Sequence, residues 1–210
     1  MTKIDKNWKA QEEAKRAFLN NHGMYSEEEE HSSCGVGLVV SIEGKQSRKV
    51  VDSGISALKA IWHRGAVDAD GKTGDGAGIH LQIPIDFFYD QVERTGHNPR
   101  KDQLLAVGRT DFGAQETCRT IVESEVLKMG YYIYGWRHVP VDISCLGEKA
   151  NSTRPEIEQI LISNSQGSDE EKFERDLYII RRRIEKAVTA AQIKDFYVCS
   201  LSCRSIIYKG

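Results

Sequence analysis

The sequence has 210 residues, 40% of them hydrophobic, so it is long enough and apolar enough for one domain with a buried core. Its 29 lysine and arginine residues nearly balance its 31 aspartate and glutamate residues, which argues against nucleic acid or an anionic membrane surface as a partner. No apolar run approaches the ~20 residues that span a bilayer, and the N-terminus has no signal-peptide pattern, so we expect a cytoplasmic protein.

The first 33 residues differ in character from the rest of the chain. A weakly amphipathic helix is predicted around residues 8–19, and a polar segment containing the acidic run SEEEE follows it. At Cys34 the pattern changes to the apolar run CGVGLVV. We therefore predict that residues 1–33 are a leader outside the core and that the domain occupies residues 34–210.

The start of the domain is predicted to be a hairpin followed by a helix. Residues 34–42 and 48–51 have the composition of two strands, with a turn at 43–46 between them. Apolar residues at helical spacing predict a helix over residues 53–62. A glycine-rich loop follows at 63–78.

The remainder of the chain mixes further strands with helices. Strands are predicted at 78–84, 104–107, 131–139, 156–163, 196–202 and 205–210, and helices at 86–94, 114–129 and 168–191. The last helix is the most regular, with Ser168 and Glu171 predicted to form a capping box. The mixture favours an α+β fold with sheets covered by helices over a doubly wound parallel sheet. Because the last predicted strand runs to Gly210, we expect the natural chain to continue.

The glycine-rich loop HRGAVDADGKTGDGAG does not meet the requirements of two ligand-binding motifs. Gly65 leaves five residues before Gly71 where a phosphate-binding loop needs four, and the aspartates of the loop would repel phosphate. A calcium loop beginning at Asp68 has Thr73 where the sharp-turn glycine is required. A nucleotide-binding protein using GKT is therefore disfavoured.

The cysteines indicate a reducing compartment. Five cysteines, an odd number at irregular spacing, argue against a disulfide framework. Cys199 and Cys203 are separated by three residues, and no second pair or histidine completes a zinc set, so no metal site is predicted.

Cys34 and Arg64 each allow two interpretations. A cysteine in an apolar strand is usually an inert core residue, but removal of residues 1–33 would make Cys34 N-terminal, with an α-amine titrating near ~7.7–8.0 as a base for its own thiol. Gly35 beside it would let a ligand approach the backbone closely. Arg64 follows a predicted helix, where a cation meets the helix dipole, and it is also a candidate charged group of a site.

Four segments resemble the glutamine amidotransferase domain of the glutamate synthase large subunit: CGVGLVV at 34–40, ALKAIWHRGAVDADGKTGDGAGI at 57–79, RRRIEK at 181–186 and FYVCSLS at 196–202. The resemblance runs from Cys34 to Gly210. It implies the N-terminal nucleophile (Ntn) fold, a four-layer αββα sandwich incomplete here at its C-terminal end. It also implies that Cys34 is the nucleophile exposed by loss of a propeptide, with Arg64 and Gly35 ordering the site.

The resemblance further implies what the complete enzyme contains. Its substrate is L-glutamine, and the released ammonia passes to a distant site that makes glutamate from 2-oxoglutarate. FMN and an iron–sulfur cluster belong to the remaining domains of the large subunit, with no cofactor in this chain. A small NADPH-oxidising subunit or ferredoxin supplies the electrons. An Asn-Gly pair for the oxyanion and an arginine for the substrate carboxylate are expected beyond Gly210.

A different class of function stays open on the residues alone. A noncatalytic relative could keep the fold as a scaffold or binding module, with Cys34 internal and inert. The N-terminal residue of the mature chain separates the two, because the enzyme requires a chain that starts at Cys34.

Overall fold

The computed structural model describes residues 6–23, 35–61, 67–74, 76–112 and 115–209. Two compact units divide the chain, residues 1–36 and residues 37–210. The first contains helix α1, Lys6–His22, which confirms the helix predicted around 8–19. Among the side chains described in α1, those of residues 10–22, all are exposed except Glu12, which is partly buried.

The second unit alternates helices and strands irregularly along the chain. In order, its described elements are α2 Arg48–Ala60, β1 Gly78–Gln82, α3 Ile85–Arg94, β2 Leu105–Phe112, α4 Gln115–Lys128, β3 Tyr132–His138, a 3₁₀ turn Ile143–Cys145, α5 Glu148–Ser152, β4 Glu156–Ser163, α6 Glu170–Ala190, β5 Phe196–Ser202 and β6 Ser205–Lys209. From residue 78 onward the predicted type of every element is confirmed. The predicted strand at 104–107 is too short, and the 3₁₀ turn and α5 have no counterpart in the prediction.

The strands form two antiparallel sheets. One has four strands in the order β3-β4-β2-β5, and the other pairs β1 with β6. Gly108 lies at the centre of β2, where an added Cβ would stand 2.7 Å from Ile160 Cγ2 and 2.9 Å from Leu201 Cδ1. Glycine at this position therefore lets its two neighbouring strands bring branched side chains close together. The mixed fold with antiparallel sheets confirms the predicted α+β class.

The four-stranded sheet is packed on both faces. On one face, Ile160 and Ile162 of β4 join apolar residues of α4 and α6 in a core cluster. On the other face, Leu161 joins residues of α3, β1 and β6, among them Phe88 and Ile206, in a second cluster. Consecutive buried residues in β4 follow from this double coverage, since a strand exposed on one face would alternate apolar and polar residues. None of the helices that the structure describes is long and apolar enough to cross a bilayer.

The predicted hairpin over 34–42 and 48–51 is wrong. Helix α2 begins at Arg48, because Ser47 is extended and its hydroxyl accepts a bond from Val50 N at 3.4 Å, capping the first turn. Arg48 Nε also donates to Asp52 Oδ1 at 2.8 Å, one turn later in the helix. The two valines that suggested a strand are thus in the first turn of a capped helix.

Residues 35–41 have no regular structure, although Val36 and Leu38 belong to the apolar run that predicted a strand. Val36 is 93% exposed and Leu38 is 87% exposed. A strand forms only when a neighbour pairs with its backbone, and no described strand pairs with this segment. The apolar composition predicted a strand here, and that prediction is wrong because composition alone does not supply a pairing partner.

The predicted capping box of the last helix is also wrong in its residues. Asp169, not Ser168, caps α6, and its carboxylate accepts a bond from Lys172 N at 2.7 Å. The Ser168 hydroxyl instead donates to Asn164 Oδ1 at 3.0 Å. Serine and aspartate are both good N-cap residues. Because the Ser168 hydroxyl bonds Asn164, Asp169 is the residue that caps α6.

Candidate functional site

Two of the three predicted site residues, Cys34 and Arg64, lie outside the described residues. The third, Gly35, is exposed in a segment without regular structure. The structure does describe residues 67–74, the loop that follows Arg64 three positions later. This loop is the first described segment after Arg64 in the sequence.

Residues 67–74 form a compact turn, named here the aspartate hairpin. Val67 and Gly74 make an antiparallel bridge at its base. Inside it, Asp68 N donates to Thr73 O at 2.7 Å, and Gly71 N donates to Asp68 O at 2.9 Å. Gly71 has φ +69°, a left-handed conformation that favours glycine. The glycine-rich sequence thus encodes a closed turn.

Asp70 holds the tip of the aspartate hairpin together. Its Oδ1 accepts bonds from Lys72 N at 2.9 Å and Thr73 N at 2.7 Å, and its Oδ2 accepts one from Thr73 Oγ1 at 2.5 Å. The Thr73 hydroxyl, followed by the two backbone amides, lowers the pKa of Asp70 to about 2. Asp70 therefore serves the turn itself as an ionised internal acceptor.

A distant segment fastens the aspartate hairpin from outside. Lys149 Nζ donates to Asp68 Oδ2 at 2.6 Å, and this bond is the largest cause of the lowered pKa of Asp68. Ala150 N donates to Thr73 Oγ1 at 3.4 Å. Lys149 and Asp68 are 81 residues apart, so no local pattern could have predicted their contact.

The four cysteines that the structure describes sit in surroundings unlike a nucleophile's. Cys118 is buried, which raises the pKa of its thiol, and Cys199 donates to Ile207 O at 3.6 Å. The exposed Cys145 donates to Asp142 O at 3.3 Å. Burial, and then the Glu174 carboxylate at 3.1 Å, raise the pKa of Cys203 to about 12. The raised pKa values keep the thiols of Cys118 and Cys203 protonated at neutral pH.

Residues 34–210 carry the sequence pattern of a known protein family. The sequence pattern of the class II glutamine amidotransferases matches residues 34–210. The chain belongs to this family. The match begins at Cys34, the first residue of the predicted domain, and covers both the CGVG segment and the aspartate hairpin. The resemblance drawn from the sequence is confirmed.

Individual relatives of this amidotransferase are glutamate synthases. The chain is 60% identical over 202 residues to the glutamate synthase [NADPH] large chain of Azospirillum brasilense, covering 94% of this chain and 13% of that protein. It is 38% identical over 187 residues to ferredoxin-dependent glutamate synthase 2 of Synechocystis, covering 87% and 12%. It is 36% identical over 193 residues to the glutamate synthase [NADPH] large chain of Bacillus subtilis, covering 90% and 12%. The chain thus spans about one-eighth of the length of these curated relatives.

Proposed function

We propose that this amidotransferase domain hydrolyses L-glutamine and supplies the ammonia with which a complete glutamate synthase makes L-glutamate from 2-oxoglutarate. The observation that carries the proposal is the family match over residues 34–210, which starts at the one cysteine predicted to be a nucleophile. Identity of 60% to a glutamate synthase large chain supports the assignment of the complete enzyme.

Cys34 is the nucleophile in this proposal. Its α-amine, free once residues 1–33 are removed, accepts the thiol proton, and the thiolate attacks the side-chain amide carbon of glutamine. As the tetrahedral intermediate collapses, the carbon–nitrogen bond breaks and the protonated α-amine returns its proton to the leaving nitrogen. Ammonia departs and a thioester remains on Cys34. Water then attacks the thioester, which releases glutamate and restores the thiol.

The boundary at Cys34 is supported by two observations of different kinds. The family match begins at residue 34, and the compact unit that contains the sheets begins at residue 37. The side chains described at residues 10–22 of α1 are exposed except for Glu12, as expected for a leader that lies outside the core. We therefore assign residues 1–33 as a propeptide and residues 34–210 as part of the catalytic domain.

Arg64 and Gly35 are proposed as residues that order the site around the nucleophile. Arg64 stands in the HRG motif three residues before the aspartate hairpin. Gly35 follows Cys34 and has no side chain to obstruct a substrate. The groups that bind the oxyanion and the substrate carboxylate are assigned to residues beyond 210.

The complete domain is proposed to be the four-layer αββα sandwich of Ntn hydrolases. Helices α4 and α6 pack on one face of the four-stranded sheet, and residues of β1 and β6 pack toward its other face. Gly54 of α2 lies against β1, where an added Cβ would stand 3.5 Å from Ile79 Cδ1. These contacts place a helical layer, two sheets and a second helix in succession, which supports the proposed four-layer arrangement.

The remaining domains of the large subunit are proposed to carry FMN and an iron–sulfur cluster. The described residues of this chain do not fit a cluster, because among them no three His, Cys, Asp or Glu side chains converge. The glutaminase steps above use neither group. A small NADPH-oxidising subunit is proposed as a partner, which the 60% identity to an NADPH-named large chain supports. The cytoplasm is proposed as the location.

The test is Cys34→Ser in the full-length protein. We expect glutamine-dependent glutamate synthesis to fall by at least about 10³-fold, because a serine hydroxyl is a much poorer nucleophile than a thiolate at neutral pH. Ammonia-dependent synthesis should stay near the wild-type rate, since it bypasses the thioester. Steady-state assays with glutamine and with ammonia give both rates. A glutamine-supported rate near wild type in the variant would disprove the role of Cys34. A wild-type protein that makes glutamate from ammonia but not from glutamine would instead favour the scaffold interpretation.

A further inference from the structure

The aspartate hairpin has little packing of its own to hold it in place. Every described side chain in residues 67–74 except Thr73 is exposed. Its internal hydrogen bonds fix its shape, but they do not fix where it lies relative to the sheets. Contacts from outside the hairpin must therefore supply its position.

Gly147 provides the closest of these outside contacts. Its backbone has φ −72° and ψ 163°, an extended conformation open to any residue. A Cβ added there would nevertheless overlap Asp70 Oδ2 and Thr73 Oγ1, and would stand 2.8 Å from Thr73 N. Glycine is therefore required at position 147 because the hairpin approaches so closely, and not because of the backbone conformation.

Lys149 adds a charged contact on the same side. Its Nζ bonds Asp68 Oδ2 at 2.6 Å, while Gly147 meets Asp70 and Thr73. One short stretch, residues 147–150, thus contacts both the base and the tip of the hairpin. Two contacts on different residues restrain rotation as well as translation of the turn.

We infer that Gly147 and Lys149 are positioning residues for glutamine hydrolysis. The bridge between Val67 and Gly74 closes the hairpin, so its placement sets where the chain enters it, three residues after Arg64. The inference rests on the proposed function, in which Arg64 orders the site. A displacement of about 1 Å in a group that orders an active site can cost about 10²-fold in rate. The docking of the hairpin therefore governs catalysis, although Gly147 and Lys149 do not contact the substrate in this inference.

The first experiment is Gly147→Ala in the full-length protein. The added methyl should push the hairpin away and lower kcat for glutamine-dependent synthesis by about 10-fold or more, with ammonia-dependent synthesis within about 2-fold of wild type. Gly108→Ala is the matched control. Its methyl clashes with Ile160 and Leu201 inside the sheet, so it should lower the melting temperature without selectively lowering the glutamine rate.

A second variant keeps the inference testable if Gly147→Ala does not fold. Lys149→Met removes an exposed ion pair, which contributes little to stability, and should still lower glutamine-dependent kcat by about 3-fold or more. Lys149→Arg should restore most of that loss by bonding Asp68 again. Lys172→Met is the control, because Lys172 bonds Asp176 at the same 2.6 Å on a different element. It should leave both rates unchanged.

The two sets of rates separate failure of this inference from failure of the proposed function. If Cys34→Ser abolishes glutamine-dependent synthesis while Gly147→Ala and Lys149→Met retain wild-type kcat, the positioning role is overturned and the function stands. Equal losses with glutamine and ammonia would also overturn it, because they would indicate general damage. If Cys34→Ser itself keeps the glutamine rate, the proposed function fails first.

Discussion

At the scale of single residues, the described thiols differ sharply in their surroundings. Cys203 lies beside Glu174, whose Oε2 accepts bonds from both Cys203 N at 2.9 Å and Cys203 Sγ at 3.1 Å. Forming a thiolate there would place two negative charges together in a partly buried site. The pKa of about 12 follows from burial first and from this carboxylate second. Cys203 is thus a structural donor at neutral pH.

We therefore predict selective alkylation of Cys34 by a glutamine-like electrophile in the full-length protein. A thiol with a free α-amine beside it forms a thiolate near pH 7–8, whereas a pKa of about 12 leaves almost none at Cys203. Peptide mass mapping after brief labelling should find the adduct on Cys34 and not on Cys118, Cys145, Cys199 or Cys203. Unfolding before labelling should expose all of them, as a control. Faster labelling of Cys203 than of Cys34 would contradict the assignment.

At the scale of elements, one buried ion pair joins α4 to the central strand β4. Glu158 is 2% exposed, and Arg119 Nε donates to its Oε2 at 2.7 Å while Arg119 Nη2 donates to Oε1. His138 Nδ1 lies 3.9 Å from the same carboxylate. Because one guanidinium binds both oxygens, the pair sets the rotation of α4 over the sheet as well as its distance.

We predict that Arg119→Met destabilises the domain by about 2 kcal/mol. Removing one partner of a fully buried pair typically costs about 3–5 kcal/mol, and the lower figure allows for the partial exposure of Arg119. The double variant Arg119→Met with Glu158→Gln should recover part of the loss, because it no longer buries a charge. Urea unfolding followed by circular dichroism measures all three free energies.

The control for this prediction is Arg48→Met. Arg48 and Asp52 form an exposed pair on α2, so its loss should cost no more than about 0.5 kcal/mol. If Arg119→Met lowers the free energy of unfolding as little as Arg48→Met does, then the burial of Glu158 does not make its ion-pair partner essential for stability. A double variant less stable than Arg119→Met would likewise contradict the explanation.

At the scale of the whole molecule, the chain is organised around a boundary near Cys34. Residues 1–36 and 37–210 form separate compact units, and the family match begins at residue 34. The chemistry of the proposed site depends on that boundary, because an internal Cys34 has an amide nitrogen where the base should be. Processing therefore controls activity in this proposal.

We predict that the active enzyme, purified with all its downstream domains, begins at Cys34. Intact mass and N-terminal peptide analysis should find residues 1–33 absent, and glutaminase turnover in mixed preparations should rise in proportion to the cleaved fraction. The comparison is made at equal total protein concentration, with ammonia-dependent synthesis as the internal reference. Full glutamine turnover from a chain that still begins at Met1 would contradict the α-amine as base.

The sequence by itself determined the local elements and the family. Strands and helices from residue 78 onward were predictable because alternation and helical spacing record which side of each element is buried, as in the buried face of α6. The start of α2 at Arg48 was also encoded locally, in the Ser47 cap, but two valines suggested a strand. Cys34 stood out because a change in composition precedes it.

Only the tertiary structure decided which elements meet. The strand order β3-β4-β2-β5 and the contact of Gly147 with the aspartate hairpin both join residues far apart in the chain. The lack of a partner for residues 35–41 among the described strands is likewise a tertiary fact. Periodicity reports that a face is buried, and it carries no information about the neighbour that buries it. Backbone pairing and close approach depend on that neighbour, so Gly147 looks like any loop glycine until Asp70 and Thr73 lie against it.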